Sequence, residues 1–117
     1  KVLLAGKPEY IEKLEPVARE QFDKAANVSR SEPFLLEILP PKVDKAFALQ
    51  KLLDVLGYKR KELLACGDGY NDVTMLRFAG MGIAMKNATE PAQEAADFIT
   101  MSNDEDGVAY AVKRFCL

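Results

Sequence analysis

The stretch "CGDGYNDVTML", residues 66–76, sets Asp68 and Asp72 four residues apart, with Gly67, Gly69 and Asn71 around them. It follows the apolar run "ELLA", so negative charge and flexible backbone gather where a hydrophobic segment ends. Two explanations compete. Asp-Gly and Asn-Asp pairs make tight turns and cap helices, because glycine adopts positive φ and Asx side chains bond nearby amides. Alternatively, the carboxylates form a metal and phosphate site at the exit of a strand. A magnesium ion takes one or two carboxylates and completes its shell with water and phosphate oxygens. In that reading Asp68 is the direct ligand, and Asp72 holds a metal-bound water or orients a cation. Asn71 donates to a phosphate oxygen, and Gly67 and Gly69 bring backbone close to the ion. Spacing alone leaves both explanations open.

The segments on either side bear on the choice. Leu49, Leu52, Leu53 and Leu56 recur at helical spacing, with Asp44 placed to cap the helix and Gly57 to end it. "ELLAC" reads as a strand into the loop and "DVTMLRFA" as a helix out of it. "MGIAM" is a further strand, followed by Thr89 as a cap and the helix "EPAQEAA". "DFITM" is another strand, and "DGVAYAVKRF" a closing helix with Val108, Val112 and Phe115 on one face. Strands alternating with helices imply a parallel sheet covered on both faces. Ligands of such sheets bind beyond the carboxyl ends of the strands, where this loop lies. Lys45, at the start of a helix whose free amides favour anions, adds a cation suited to a phosphate or to two nearby carboxylates.

The first third is patterned differently. "KVLLAG" reads as a short strand. A helix then starts at Pro8, and Pro16 should kink it or begin a second piece. Residues 26–32 and 34–39 read as two strands joined through Pro33, and Pro40 and Pro41 mark a boundary.

Composition narrows the chemistry. The 117 residues are 49% hydrophobic and 29% charged, with a net charge of −2. That balance is ordinary for a globular protein and gives no basic footprint for nucleic acid or anionic membrane. No apolar run reaches the length of a membrane span, and a cytoplasmic location is expected. There is no histidine, and Cys66 and Cys116 lie far apart, which removes the usual zinc spacings and histidine-based triads. Both cysteines are expected to be small buried hydrophobes. Any hydrolysis must rest on carboxylates, lysine and metal. The chain opens at Lys1 in mid-strand, which favours reading it as a piece of a longer protein.

From about residue 34 onward, the lysine, GDGYND, "AGMGIAMKNA" and "AADFITMSNDEDGVA" follow one another in an order that resembles Cof-type phosphatases. These are a branch of the haloacid dehalogenase-like superfamily of magnesium-dependent phosphohydrolases. The resemblance implies an α/β fold: residues 42–117 as the C-terminal half of a Rossmann-like core, with a parallel sheet and flanking helices. Residues 1–41, less specifically, resemble the α+β end of a cap domain. It further implies that Lys45 bridges the nucleophile and the phosphoryl group, and that Asp68 ligates Mg2+. Asp72 would support the metal's water or the lysine, so that Lys45, Asp68 and Asp72 form the catalytic set. Asn71 and Asn87 would face the phosphate or substrate. Ala46 stands where the family often has glycine.

One departure matters more. The family attacks phosphorus with an aspartate of an N-terminal DxDGT motif, and no such motif precedes Lys45. Asp104–Gly107 matches DxDG by letters but follows the loop and lacks the threonine; Ser102 and Glu105 read there as a capping box. The glycines of "GMGIAM" precede a strand rather than a helix, so they are no dinucleotide fingerprint. The expectation is therefore part of a phosphatase of small, sugar-phosphate-like monoesters, inactive alone, with its nucleophile outside this chain. An exposed sheet edge would invite dimerisation. Two rivals are a P-type ATPase phosphorylation domain, which shares the loop but continues differently from "VTML", and a stand-alone domain that binds phosphate ligands or a partner without catalysis.

Overall fold

The computed structural model describes residues 1–117, which form two three-stranded sheets joined through one helix. The first sheet comprises β1 (Val2–Ala5), β2 (Asn27–Glu32) and β3 (Leu35–Leu39) in the order β1-β3-β2, antiparallel throughout. Helix α1 (Pro8–Phe22) packs on it. Ile11 and Ala18 of the helix meet Val28 and Leu36 of the strands in one buried cluster, with Ile38 beside it. Val28, Leu36 and Ile38 share the helix side of the pleat, while Leu35 and Leu39 fall on the other face.

α1 runs through Pro16 as one helix instead of dividing there. A mid-helix proline removes one amide donor and crowds the carbonyl four residues back. Burial of Ile11 before it and Ala18 after it holds both halves on the same sheet.

The second sheet has the order β4-β5-β6 and is parallel, as the alternation of strands and helices predicts. Its strands are β4 (Leu64–Gly67), β5 (Met81–Ala84) and β6 (Phe98–Ile99), shorter at the end than "DFITM" suggests. α3 (Val73–Phe78) and α4 (Glu90–Ala95) cover one face, where Leu76, Ala84 and Ala92 are buried together. Cys66, Ile83 and Phe98 pair across the strands and so share the opposite face. There Phe98 meets Phe115 of α5 (Gly107–Phe115) edge to face at 5.2 Å.

α2 (Lys45–Leu56) links the sheets and carries its predicted punctuation. The Asp44 carboxylate accepts the Phe47 amide at 2.8 Å, and Gly57 ends the helix at φ 76°. Of its leucine stripe, however, only Leu53 is buried; Leu52 and Leu56 are exposed. In α5, Val108, Val112 and Phe115 are likewise exposed, while Gly107 and Ala111 are buried. Periodicity identifies an apolar face but not what lies against it. Cys116 is also exposed, contrary to expectation, whereas Cys66 is partly covered and burial pushes its thiol up, with a smaller push from Cys116.

Thr89 occupies the cap position of α4, yet its hydroxyl makes no capping bond. Ser102 and Glu105 do form a capping box, but around the 3-10 turn Asn103–Glu105 that precedes α5. That accounts for the acids of the DxDG look-alike.

Candidate active site

Strand β4 delivers its carboxyl end to the GDGYND loop, whose last three residues form a 3-10 turn leading directly into α3. The turn folds the Asp72 side chain back beneath the loop. Asp72 Oδ2 accepts the amides of Asp68 and Gly69, both at 2.9 Å. Gly67 has no Cβ because Asp72 takes its place: an added Cβ would lie 2.6 Å from that of Asp72. The glycine thus makes room for a buried carboxylate rather than for an ion.

Lys45, on the first turn of α2, donates from Nζ to Asp72 Oδ1. Asp72 is 4% exposed, while the lysine side chain remains about half exposed, its head reaching into the loop. Burial alone would push the Asp72 carboxyl up. The bond from Lys45, the two loop amides and the lysine charge outweigh it, and the group lies below its ordinary range. Asp72 is therefore an ionised anchor that fixes both the loop and the lysine.

Asp68 is different. Its side chain is exposed, and its carboxylate has no hydrogen bond or ion pair in the structure. Its carbonyl accepts the Thr89 amide at 2.9 Å, tying the loop after β4 to the segment after β5. Asp68, Asp72, Lys45, Asn71 and Asn87 all line one cleft of about 550 Å³. The Asn87 Oδ1 accepts the Asn103 amide at 3.1 Å, so this side chain is also braced from behind. The structure thus brings together all five predicted residues.

The same cleft has a second wall that the sequence did not disclose. Ser31, Glu32 and Pro33, where β2 turns into β3, line it beside the loop. Arg30 of β2 stacks its guanidinium over the Tyr70 ring at 4.6 Å and lies 2.6 Å from a Glu15 carboxylate oxygen. The stack on Tyr70 spans forty residues of chain, and no local pattern announces either contact. An arginine within a strand beside the Ser-Glu-Pro turn was the one available signal.

No group of three or more histidine, cysteine or acidic side chains is gathered anywhere. One open carboxylate beside a spoken-for one suits a hard cation that keeps most of its shell as water and substrate oxygens, as magnesium does. It does not suit a zinc cage.

A parallel sheet with a lysine-anchored acidic loop at its carboxyl end is an α/β arrangement that presents this loop where such sheets bind their ligands. Residues 1–112 match the family model of the haloacid dehalogenase-like hydrolases, and the chain belongs to that family. It is 39% identical over 95 residues to the 5-amino-6-(5-phospho-D-ribitylamino)uracil phosphatase YcsE of Bacillus subtilis, covering 81% of this chain and 38% of that protein. The solved HAD subclass IIB sugar phosphatase BT4131 superposes with a TM-score of 0.83 at 32% identity, over 89% of this chain and 40% of that one. A match of 40% identity over 87% of the chain also falls within the chloroplastic endoribonuclease YBEY of Arabidopsis thaliana, but spans only 18% of that protein. The chain spans well under half the length of these relatives. No helix is long and apolar enough to cross a membrane.

Proposed function

We propose that this chain is part of a magnesium-dependent phosphatase that hydrolyses small phosphate monoesters, sugar phosphates among them. Residues 1–41 would be the end of its cap and residues 42–117 the second half of its core. The observation that carries the reading is the Lys45–Asp72 pair beside the unpartnered Asp68 carboxylate in one cleft. The names of YcsE and BT4131 agree with it.

In this reading an aspartate outside these residues attacks phosphorus, the alcohol leaves, and water hydrolyses the aspartyl-phosphate. Asp68 would hold the magnesium ion, which when bound would neutralise charge on the phosphoryl oxygens. Lys45 places a fixed positive charge against those oxygens, and Asp72 keeps it there without spending free energy on reorientation during reaction. Asp72, whose oxygens already accept three hydrogen bonds, would support the metal site indirectly rather than hold the ion itself. Asn71 and Asn87 donate amide hydrogens to phosphate or substrate. A small phosphorylated metabolite is the partner this cleft receives; the family match gives the ATPase and non-catalytic rivals no support.

The test uses the full-length protein and p-nitrophenyl phosphate with magnesium. Lys45→Ala should lower kcat/KM by about a hundredfold or more, the usual cost of a lost electrostatic stabiliser. Equal turnover by wild type and variant, or turnover unaffected by chelation, would sink the proposal. Magnesium-dependent turnover by the 117 residues alone would overturn the placement of the nucleophile.

A further inference from the structure

The loop that carries Asp68 and Asp72 is held from three sides, and only two of the restraints come from the parallel unit. From beneath, Asp72 Oδ2 accepts the Asp68 and Gly69 amides. From the side, the Thr89 amide donates to the Asp68 carbonyl. The third restraint comes from the antiparallel unit. Tyr70 stands between Asp68 and Asn71 in the chain, and the Arg30 guanidinium lies over its ring at 4.6 Å.

The register of β2 explains how the arginine arrives there. Arg30 pairs with Leu36 and Val28 with Ile38, so Arg30 projects on the α1 side of the sheet. Glu15 of α1 lies on that side. Its Oε2 is 2.6 Å from Arg30 Nε, without the angle of a hydrogen bond, so charge holds the pair. The other oxygen, Oε1, accepts from Arg19 Nε and Nη2 at 3.1 and 2.8 Å, which fixes the carboxylate in place. The Arg30 and Glu15 side chains are only 18% and 16% exposed, so salt screens their attraction little. Just beyond, the register of β2 on β3 shifts between Arg30 and Glu32, and a bulge of this kind bends the strand. There the Ser31 carbonyl oxygen comes 3.7 Å from where a Gly69 Cβ would stand. Glu15, Arg19, Arg30 and Tyr70 border a second cavity of about 320 Å³, which shares Tyr70 and Asn71 with the cleft.

We propose that Arg30, oriented by Glu15, is a positioning residue that holds the GDGYND loop closed on Asp72 through its contact with Tyr70. It thereby couples the antiparallel unit to the metal site without touching metal or substrate. The inference rests on the phosphatase reading for its link to magnesium, but not for its hold on the loop. A loop that opens part of the time binds with an affinity reduced by the fraction that is closed. A cation over an aromatic face, in a partly covered setting, is strong enough to shift that fraction severalfold.

The experiment measures amide hydrogen exchange of residues 66–76 in the metal-free full-length protein, and its magnesium affinity by calorimetry. The variants are Arg30→Ala, Tyr70→Leu, Tyr70→Phe and the double variant Arg30→Ala with Tyr70→Leu. Exchange reads loop opening directly, since Asp72 protects the Asp68 and Gly69 amides. In Arg30→Ala and in Tyr70→Leu, loop exchange should quicken and magnesium affinity fall, each about fivefold. The double variant should be no worse than either, because each change removes the same contact. Tyr70→Phe keeps the ring and should match wild type. Unchanged loop exchange in the two single variants, or additive losses in the double, overturns the inference, even where Arg30→Ala lowers the urea midpoint as a merely structural arginine would. So does unchanged magnesium affinity in the variants of a wild type that binds the ion. A wild type that binds no magnesium overturns the phosphatase reading and the link to the metal, while exchange still decides whether Arg30 holds the loop.

Discussion

The two sheets are stabilised by different means. The antiparallel sheet and α1 bury branched side chains: Ile11, Val28 and Leu36, with Ile38 at the margin. The parallel sheet buries Leu76 with alanines beneath α3 and α4 and Ile83 on its other face, and α3 lies almost on the sheet backbone. At Gly82 an added Cβ would sit 2.2 Å from the Leu76 carbonyl oxygen. Filled space tolerates adjustment, because side chains can repack, whereas backbone against backbone tolerates almost none. The backbone-packed region carries Asp68 and Asp72, the residues proposed for the phosphoryl chemistry. The side-chain-packed region carries Ser31 and Glu32, which line the same cleft.

The comparison breaks first at Gly82. Gly82→Ala drives a methyl group into the α3 backbone, and we expect cooperative unfolding of the parallel unit to be lost altogether, read by urea denaturation. In the other region Leu36, which is fully buried, is the matching site. Leu36→Ala should cost about 3 kcal/mol, with a shifted but still cooperative transition. If the two variants behave alike, the contrast between the regions is wrong.

A smaller effect sharpens the picture through pH. The Asp72 carboxyl lies below its ordinary value of 3.8 in the folded protein. Its contribution is therefore present above that value and is lost as pH falls through the folded pKa. Asp72→Asn should be less stable than wild type at neutral pH by about 1–2 kcal/mol. The difference should shrink once acidification protonates the wild-type carboxyl. Urea midpoints from pH 7 down to pH 3 read this directly; a constant difference would mean that Asp72 acts by shape rather than charge.

How much could be read in advance follows the same division. Local chemistry was legible: the Asp44 cap, the Gly57 terminus and the strand-loop-helix around Asp68 each follow from a few neighbouring residues. Lys45, Asp68, Asp72 and Asn71 line one cleft, as a loop at the carboxyl end of a parallel strand suggests, and Asn87, expected only from the family resemblance, lines it with them. The second wall was not legible. Ser31 reaches the cleft through a bulge, and Arg30 meets Tyr70 across forty residues, neither of which has a periodic signature. Nor could a pattern tell that Leu52 and Leu56 on α2 stay exposed, since amphipathicity names a face without naming its cover. The role of Gly67 was misjudged for a related reason: the space was needed by Asp72, a neighbour only after the turn closes.

The central claim is that Asp68 is the open carboxylate that holds magnesium, while Asp72 is committed to Lys45 and the loop. Calorimetric titration of magnesium into the full-length protein, wild type against Asp68→Asn, tests it most directly. The account predicts at least tenfold weaker binding in the variant, with the fold unchanged by circular dichroism. Equal affinity in the two proteins would contradict it.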